Sequence, residues 1–240
     1  MLEKKMVLVI GGSSGIGLAV ATLVAQAGGR IALIGREPDK LSDATQKFVA
    51  HKRDVRTFSI DATDDDALQA VMTELGEVDH VVSMVGGGLE GVFLTNACSG
   101  AKDDIESRGI AACRIAETIA PHLTAGGSLT LTAGPSEAAR NGSGDVVGNA
   151  AIRLEVEKLA VRLAPKIRIN AVAPTWTDTP MRRGLSDEER EKQRAIVASA
   201  TPLGRTATIA EVASAYLFAM ENRFLTGQTL TIDGGLGLVT

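Results

Sequence analysis

Short apolar, β-branched-rich runs alternate along the whole chain with longer stretches of helical periodicity. Runs at Met6–Ile10, Ile31–Ile34, Arg56–Ile60, His80–Val85, Ser128–Thr132, Ile167–Val172 and Thr229–Ile232 predict strands. Helices are expected near 16–27, 38–50, 64–74, 103–122, 147–164 and 208–221, with a shorter one near 186–199. Strand–helix–strand repetition implies right-handed βαβ units, and so an α/β fold: one doubly wound, parallel sheet of about seven strands flanked by helices on both faces. No linker, low-complexity tract or short repeat interrupts residues 1–240, so one domain is expected. The segment Pro174–Thr201 is the longest departure from the alternation. Ligands in such folds bind at the carboxyl ends of strands, which makes 175–200 a candidate lid.

Composition sharpens this picture. Of 240 residues, 45% are hydrophobic but only 3% aromatic, so the core must be built from Ala, Val, Ile and Leu. That suits buried parallel strands under closely packed helices. The 26 glycines against 7 prolines favour many tight strand-to-helix turns. A net charge of −4 offers no basic field for nucleic acid or anionic lipid, and neither is expected as a partner. Met1–Lys5 leads directly into the first strand and no long apolar run follows, so neither a leader nor a membrane span is expected, and the expected compartment is cytoplasmic. Cys98 and Cys113 form no ligand set with His51, His80 and His122; no metal is expected, and both read as reduced thiols.

The first strand runs into Gly11-Gly12-Ser13-Ser14-Gly15-Ile16-Gly17 and then a helix. Glycines let the backbone turn sharply and let a diphosphate approach the first helical turn, where unpaired N–H groups and the helix dipole favour an anion. The spacing is Gly-x3-Gly-x-Gly, distinct from Gly-x-Gly-x-x-Gly. A bare tight connection would also use glycines; the flanking strand and helix favour nucleotide binding. The second strand ends in Gly35-Arg36-Glu37. Gly35 leaves room and Arg36 can fork onto a 2′-phosphate, favouring NADP (NADPH) over NAD. A hydrogen bond to a charged group is worth about 1.5–3 kcal/mol, enough to set that preference. The alternative is a solvated Arg36 beside Glu37.

The turn resembles the Thr-Gly-x3-Gly-Ile-Gly motif of the short-chain dehydrogenase/reductase family, with Ile10 in place of threonine. Asp61-Ala62 resembles that family's adenine-contacting pair, and Asp79–Gly86 its Asp-x-Leu-Val-Asn-Asn-Ala-Gly segment. Ile169–Pro174, Thr177–Met181, Pro202–Arg205, Thr226–Gln228 and Asp233–Gly235 continue the match, although Thr175 stands where glycine is usual. The resemblance implies a Rossmann-like fold and a nicotinamide dinucleotide held by Gly11, Ser13, Ser14, Gly15, Ile16, Gly17, Arg36, Asp61, Ala62, Val85, Gly86, Pro174, Thr177 and Thr179. It also implies a small-molecule carbonyl or alcohol substrate, and a homodimer or homotetramer built on the helices near 103–122 and 147–164 and the last strand.

Members of that family use a Tyr-x3-Lys pair, a serine and an asparagine for proton exchange and carbonyl binding. Here the tyrosine position falls on Asp145 and the lysine position on Asn149. The one tyrosine, Tyr216, lies in a helical run where a core role is expected. The serine position falls on Ala133 or Gly134, with Thr132 the nearest strand-end hydroxyl, and the asparagine position on Arg108. Three readings stay open. Asp145 is a replacement acid/base paired with Arg108 and helped by Thr132, although a neighbouring arginine makes a carboxyl a poor proton donor unless burial opposes it. Alternatively the protein binds NADP(H) without hydride chemistry, as a sensor or subunit. In the third, Ser136, Glu137, Ser143 or a lid residue does the chemistry. Asp145 also reads as the cap of a helix beginning near Val146, and Asn149 as purely structural. Trp176 and Met181 either line an apolar pocket or pack beneath the lid, while Asp187–Arg194 reads as a solvated helix face. The leading expectation is a divergent NADP(H)-dependent oxidoreductase.

Overall fold

The structure, a computed structural model, describes residues 2–49, 55–85, 105–134 and 145–239. Seven strands, β1 (Met6–Ile10), β2 (Arg30–Gly35), β3 (Val55–Ser59), β4 (Val78–Ser83), β5 (Leu123–Thr132), β6 (Arg168–Pro174) and β7 (Thr229–Ile232), pair in parallel in the order β3-β2-β1-β4-β5-β6-β7. The helices are α1 (Gly15–Gln26), α2 (Pro38–Val49), α3 (Asp65–Leu75), α4 (Ala111–Ile119), α5 (Asp145–Leu163), α6 (Asp187–Ala200) and α7 (Ile209–Glu221). This is the expected doubly wound, Rossmann-like arrangement.

Side chains alternate across the sheet and so build two cores. Leu8 and Ile10 pack with Leu68 of α3, Ile115 of α4 and Ile152 and Val156 of α5. Val7 and Val9 pack on the opposite face with Val20 and Val24 of α1, Phe48 of α2 and Val212 and Tyr216 of α7. All five residues of β1 are buried, as a central parallel strand requires.

Several boundaries differ from expectation. The helix expected near 103–122 is a π turn (Ile105–Ile110), α4, and a 3-10 turn (Ala120–His122) where Pro121 supplies no N–H. β5 begins five residues before Ser128, and a register irregularity between Val78 and His80 accommodates the extension. β6 continues to Pro174, paired with Ile232 of β7. The helix expected to be shorter, α6, has 14 residues against 12 for α1. Ser186 and Glu189 form a capping box at its start, and ion pairs Asp187–Arg190 and Glu191–Arg194 line its solvated face. Cys113 is an unpaired thiol, pushed up to about 11 by burial and by the Glu155 carboxylate; Cys98 lies outside the described residues. Among the described residues no helix is long and apolar enough to cross a membrane, and no group of His, Cys, Asp and Glu could hold a metal ion.

The α7 face of the sheet carries a buried polar row. His80 Nδ1 lies 2.9 Å from Ser128 Oγ. Arg168 donates from Nη1 to the carbonyls of Ala219 (2.9 Å) and Leu225 (3.0 Å), and from Nη2 to that of Met220 (2.7 Å), satisfying the carboxyl end of α7. Burial, with the Arg168 charge adding to it, lowers His80 from 6.5 to about 4. Between those values the unfolded chain takes up a proton that the folded chain refuses, so stability present above pH 6.5 is lost as pH falls toward 4. Urea unfolding should therefore show stability lower by about 1–2 kcal/mol at pH 5 than at pH 7 from this group. His80→Asn should flatten that slope; an unchanged slope in the variant would remove His80 as its source.

Candidate functional site

Strands β1 and β4 are neighbours from which the chain winds in opposite directions, so a crevice opens at their carboxyl ends. The turn after β1 is tied to both sides of it: Gly11 N–H donates to the Ile34 carbonyl (2.8 Å), and Met84 N–H to that of Ile10 (3.0 Å). A Cβ on Gly17 would stand 2.2 Å from the Gly11 carbonyl oxygen, so only glycine allows α1 to start here. The Cβ position of Gly15 is 3.6 Å from Thr179 Cβ, which sets the start of the candidate lid over the turn.

The capping pattern sets this turn apart. Asp64, Ser186 and Thr208 each accept backbone N–H groups at the starts of α3, α6 and α7. Ser14, at the start of α1, makes no such bond, and the first turn of α1 contains no acidic residue. Its first N–H groups have no side-chain cap among the described residues, and the glycine cradle around Ser13, Ser14 and Ile16 fits a diphosphate.

At the end of β2, Glu37 pairs with Lys40 and not with Arg36. The exposed Arg36 guanidinium makes no hydrogen bond or ion pair among the described residues. Asp61 Oδ1 accepts from the Thr63 N–H (2.9 Å) and hydroxyl (2.7 Å). These bonds hold its carboxyl below the usual range, with a smaller contribution from the Arg36 charge. Ala62 is buried beside it. Val85 N–H donates to Ser83 Oγ (3.3 Å), while Gly86 lies outside the described residues. Pro174 closes β6, and the buried Thr177 hydroxyl donates to the Thr175 carbonyl (3.0 Å).

The positions matched in sequence to the family's catalytic residues are only partly brought together. Asn149 is buried on α5, and its Oδ1 accepts from the Gly134 N–H at 2.7 Å. One turn further on, Arg153 Nη2 donates to the Gly134 carbonyl at 2.9 Å, so both polar groups of Gly134 are held. A Cβ on Gly134 would lie 2.2 Å from Asn149 Nδ2. Thr132 does not join this cluster, contrary to the expectation that it assists there. Leu131 and Ala133 face the α4–α5 core, so strand alternation turns Thr132 to the α7 face. Its hydroxyl lies 2.7 Å from both the Ser83 carbonyl and the Tyr216 hydroxyl. Tyr216 is fully buried, and burial raises its phenol well above the ordinary value, confirming a core role. Asp145 is the first described residue of α5, and the residues before it lie outside the described ones. Arg108 lies in the π turn, which packs closely enough on α5 that a Cβ on Gly109 would stand 2.8 Å from Ala151 Cβ. The side chains of Asp145 and Arg108, and all of Ser136, Glu137 and Ser143, lie outside the described residues.

The candidate lid segment is fastened from beneath. Trp176 is buried, with the Arg182 guanidinium 4.7 Å from its ring. Both residues donate to Gln193 Oε1 of α6, at 3.3 and 3.1 Å. Packing, and not an open pocket wall, is therefore the role of Trp176; the Met181 side chain lies outside the described residues. Sequence reasoning missed Arg153 and the Tyr216 hydroxyl. Only the i, i+4 spacing of Asn149 and Arg153 could have signalled the first.

A sequence model described as enoyl-(acyl carrier protein) reductase matches residues 11–237. Over 246 residues the chain is 30% identical to the 3-oxoacyl-(acyl-carrier-protein) reductase of Homo sapiens, covering 98% of this chain and 99% of that protein. The MalC reductase/Diels-Alderase of Malbranchea aurantiaca superposes with a TM-score of 0.86 at 28% identity, covering 99% of this chain and 98% of that one. A small-chain dehydrogenase in complex with NADPH superposes with a TM-score of 0.74 at 26% identity, covering 98% of this chain and 100% of that one.

Asn149→Ala should lower stability to urea by about 1–3 kcal/mol, because the buried Gly134 N–H loses its acceptor. A loss of only a few tenths of that would show that the clamp does not hold the strand end.

Proposed function

The chain belongs to the short-chain dehydrogenase/reductase family, and from that premise we propose that it is an NADP(H)-dependent oxidoreductase acting on a carbonyl or alcohol without a Tyr–Lys proton relay. One observation carries the cofactor reading: the amino end of α1 is left uncapped at a glycine cradle, with an unpaired Arg36 one strand away. The N–H groups of that helix end bind the diphosphate, and Arg36 selects the 2′-phosphate. The relative solved with NADPH supports this choice. When bound, the dinucleotide supplies or accepts the hydride. The chain holds it at the carboxyl pole, fixes the β5 end through Asn149 and Arg153, and closes 175–200 over the crevice. Asp145, matched in sequence to the family's tyrosine position, is the candidate acid/base. A 3-oxoacyl thioester is the first substrate to test, given the reductase from Homo sapiens. The exposed Leu154 and Val161 on α5 support assembly as a homodimer or homotetramer through that helix.

A second reading, an NADP(H)-binding protein without turnover, is favoured by what Asn149 does at the lysine position and by where Tyr216 lies. Asn149 spends its carbonyl on Gly134, and the phenol of Tyr216 lies in the core.

Calorimetry should show NADPH binding that Arg36→Ala weakens about tenfold to a hundredfold, with NADH affinity little changed. Equal losses would show that the guanidinium does not read the phosphate. Turnover of a 3-oxoacyl thioester should run about 10²–10⁴-fold below that of a relative with the relay, and Asp145→Ala should abolish it. Binding without turnover across carbonyl and alcohol substrates would select the second reading.

A further inference from the structure

At the opposite pole of the sheet, beneath the amino ends of β4, β5 and β6, lies a cavity of about 290 Å³ that the dinucleotide reading does not use. Its wall includes Lys5, Asp79, His80, Arg168, Glu221 and Arg223. Asp79 is already committed: it accepts from Lys5 Nζ (2.8 Å), the Met6 N–H (2.8 Å) and the Thr124 hydroxyl (3.2 Å). Lys5 and Asp79 therefore neutralise each other. The two arginines are in a different position. Arg168 is nine-tenths buried, and its bonds all go to carbonyl oxygens at the end of α7, none to a carboxylate. Its Nε–H is buried with no acceptor. Arg223 makes no hydrogen bond or ion pair among the described residues. It lies near enough that its charge, after burial, lowers the basicity of Arg168.

Arg168 and Arg223 repel one another across the cavity, and among the described residues neither guanidinium forms an ion pair with the Asp79 or Glu221 carboxylate that shares the wall, which leaves the buried Arg168 charge without a counter-ion. An oxyanion between them turns that repulsion into attraction. We propose that this cavity is a second ligand site, which takes inorganic phosphate or a small phosphate monoester between Arg168 and Arg223. Arginine suits the planar, bidentate recognition of phosphate. The volume, at the lower end of the roughly 300–1,000 Å³ range of small-molecule pockets, excludes a dinucleotide and leaves space for a short apolar remainder against Leu2, Pro165 and Met220. The side chain that position 126 lacks would meet nothing within 4 Å, so the backbone at Gly126 leaves the cavity open on that side. His80 is a reporter within the wall: neutral near pH 7, with its Nδ1 engaged by Ser128, it responds to any anion that offsets Arg168.

The test uses the full chain with sodium phosphate, and with sodium acetate and sodium chloride at matched ionic strength. Phosphate should raise the thermal unfolding midpoint beyond chloride and shift the His80 ring resonances in the NMR spectrum. Arg223 is exposed, so Arg223→Gln folds, and it should weaken the phosphate response about tenfold or more. Arg36→Ala, which disables the phosphate reader of the proposed dinucleotide site, should leave the His80 response intact. An unaltered response in Arg223→Gln, or no response beyond chloride, would overturn the proposal. Loss of the response in Arg36→Ala would assign the phosphate to the dinucleotide turn and also overturn it, and a larger response to acetate would overturn phosphate as the ligand class.

Discussion

Between the Gly11 carbonyl and the Cα of Gly17 there is no space for a methyl group, and the architecture of the upper pole follows from that contact. Because α1 begins against the turn, its first N–H groups face outward over the crevice with no side chain to cap them. The same turn is bonded to β2 through the Ile34 carbonyl, and the strand before it is bonded to the backbone after β4 through Met84. Three strand ends are thereby fixed relative to one helix end. Arg36 and Asp61, carried at the ends of β2 and β3, inherit their positions from this arrangement.

The sheet divides its polar residues between its faces unequally. The α4–α5 side is lined by Leu, Ile, Val and Ala, whereas the α7 side holds His80, Ser128, Thr130, Thr132, Arg168 and Asn170. Half of that row finds partners on α7 and the segment after it: Arg168 and Asn170 both bond the Leu225 carbonyl, and Thr132 meets Tyr216. Buried polar groups of this kind fix the docking of α7 more narrowly than apolar packing alone. They also explain why a threonine at a strand end can belong to the core and not to the crevice.

Features that depend on local spacing were legible in the sequence. The strand order of chemistry, the glycine turn and the tip residue Arg36 are all read within a few positions of one another, where chain connectivity leaves little freedom. The helix expected near 186–199 lies one residue further on at the same length, and the capping box of Ser186 and Glu189 that starts it is equally local. What could not be read joins distant positions. The bond from Gly134 to Asn149 spans 15 residues, and that between Thr132 and Tyr216 spans 84. The facing of Thr132 depends on which residues of β5 turn toward each core, and an element list does not fix that parity. Trp176 was ambiguous for a similar reason, since its partner Gln193 lies on the other arm of the lid segment.

Asn149, which the motif resemblance matches to the family's lysine, is held in a clamp of its own. Gly134 presents an N–H to the side chain of residue 149 at 2.7 Å, and asparagine answers it with a carbonyl oxygen. A lysine at that place has only donors, so its ammonium would meet the N–H donor to donor and leave it buried without an acceptor. Gly134 could not move aside freely either, because Arg153 grips its carbonyl from the next helical turn. Asn149, Arg153 and Gly134 thus form one unit, in which each residue fits only while the other two are present. Placing a lysine at position 149 requires refitting the end of β5 as well as changing a side chain on α5.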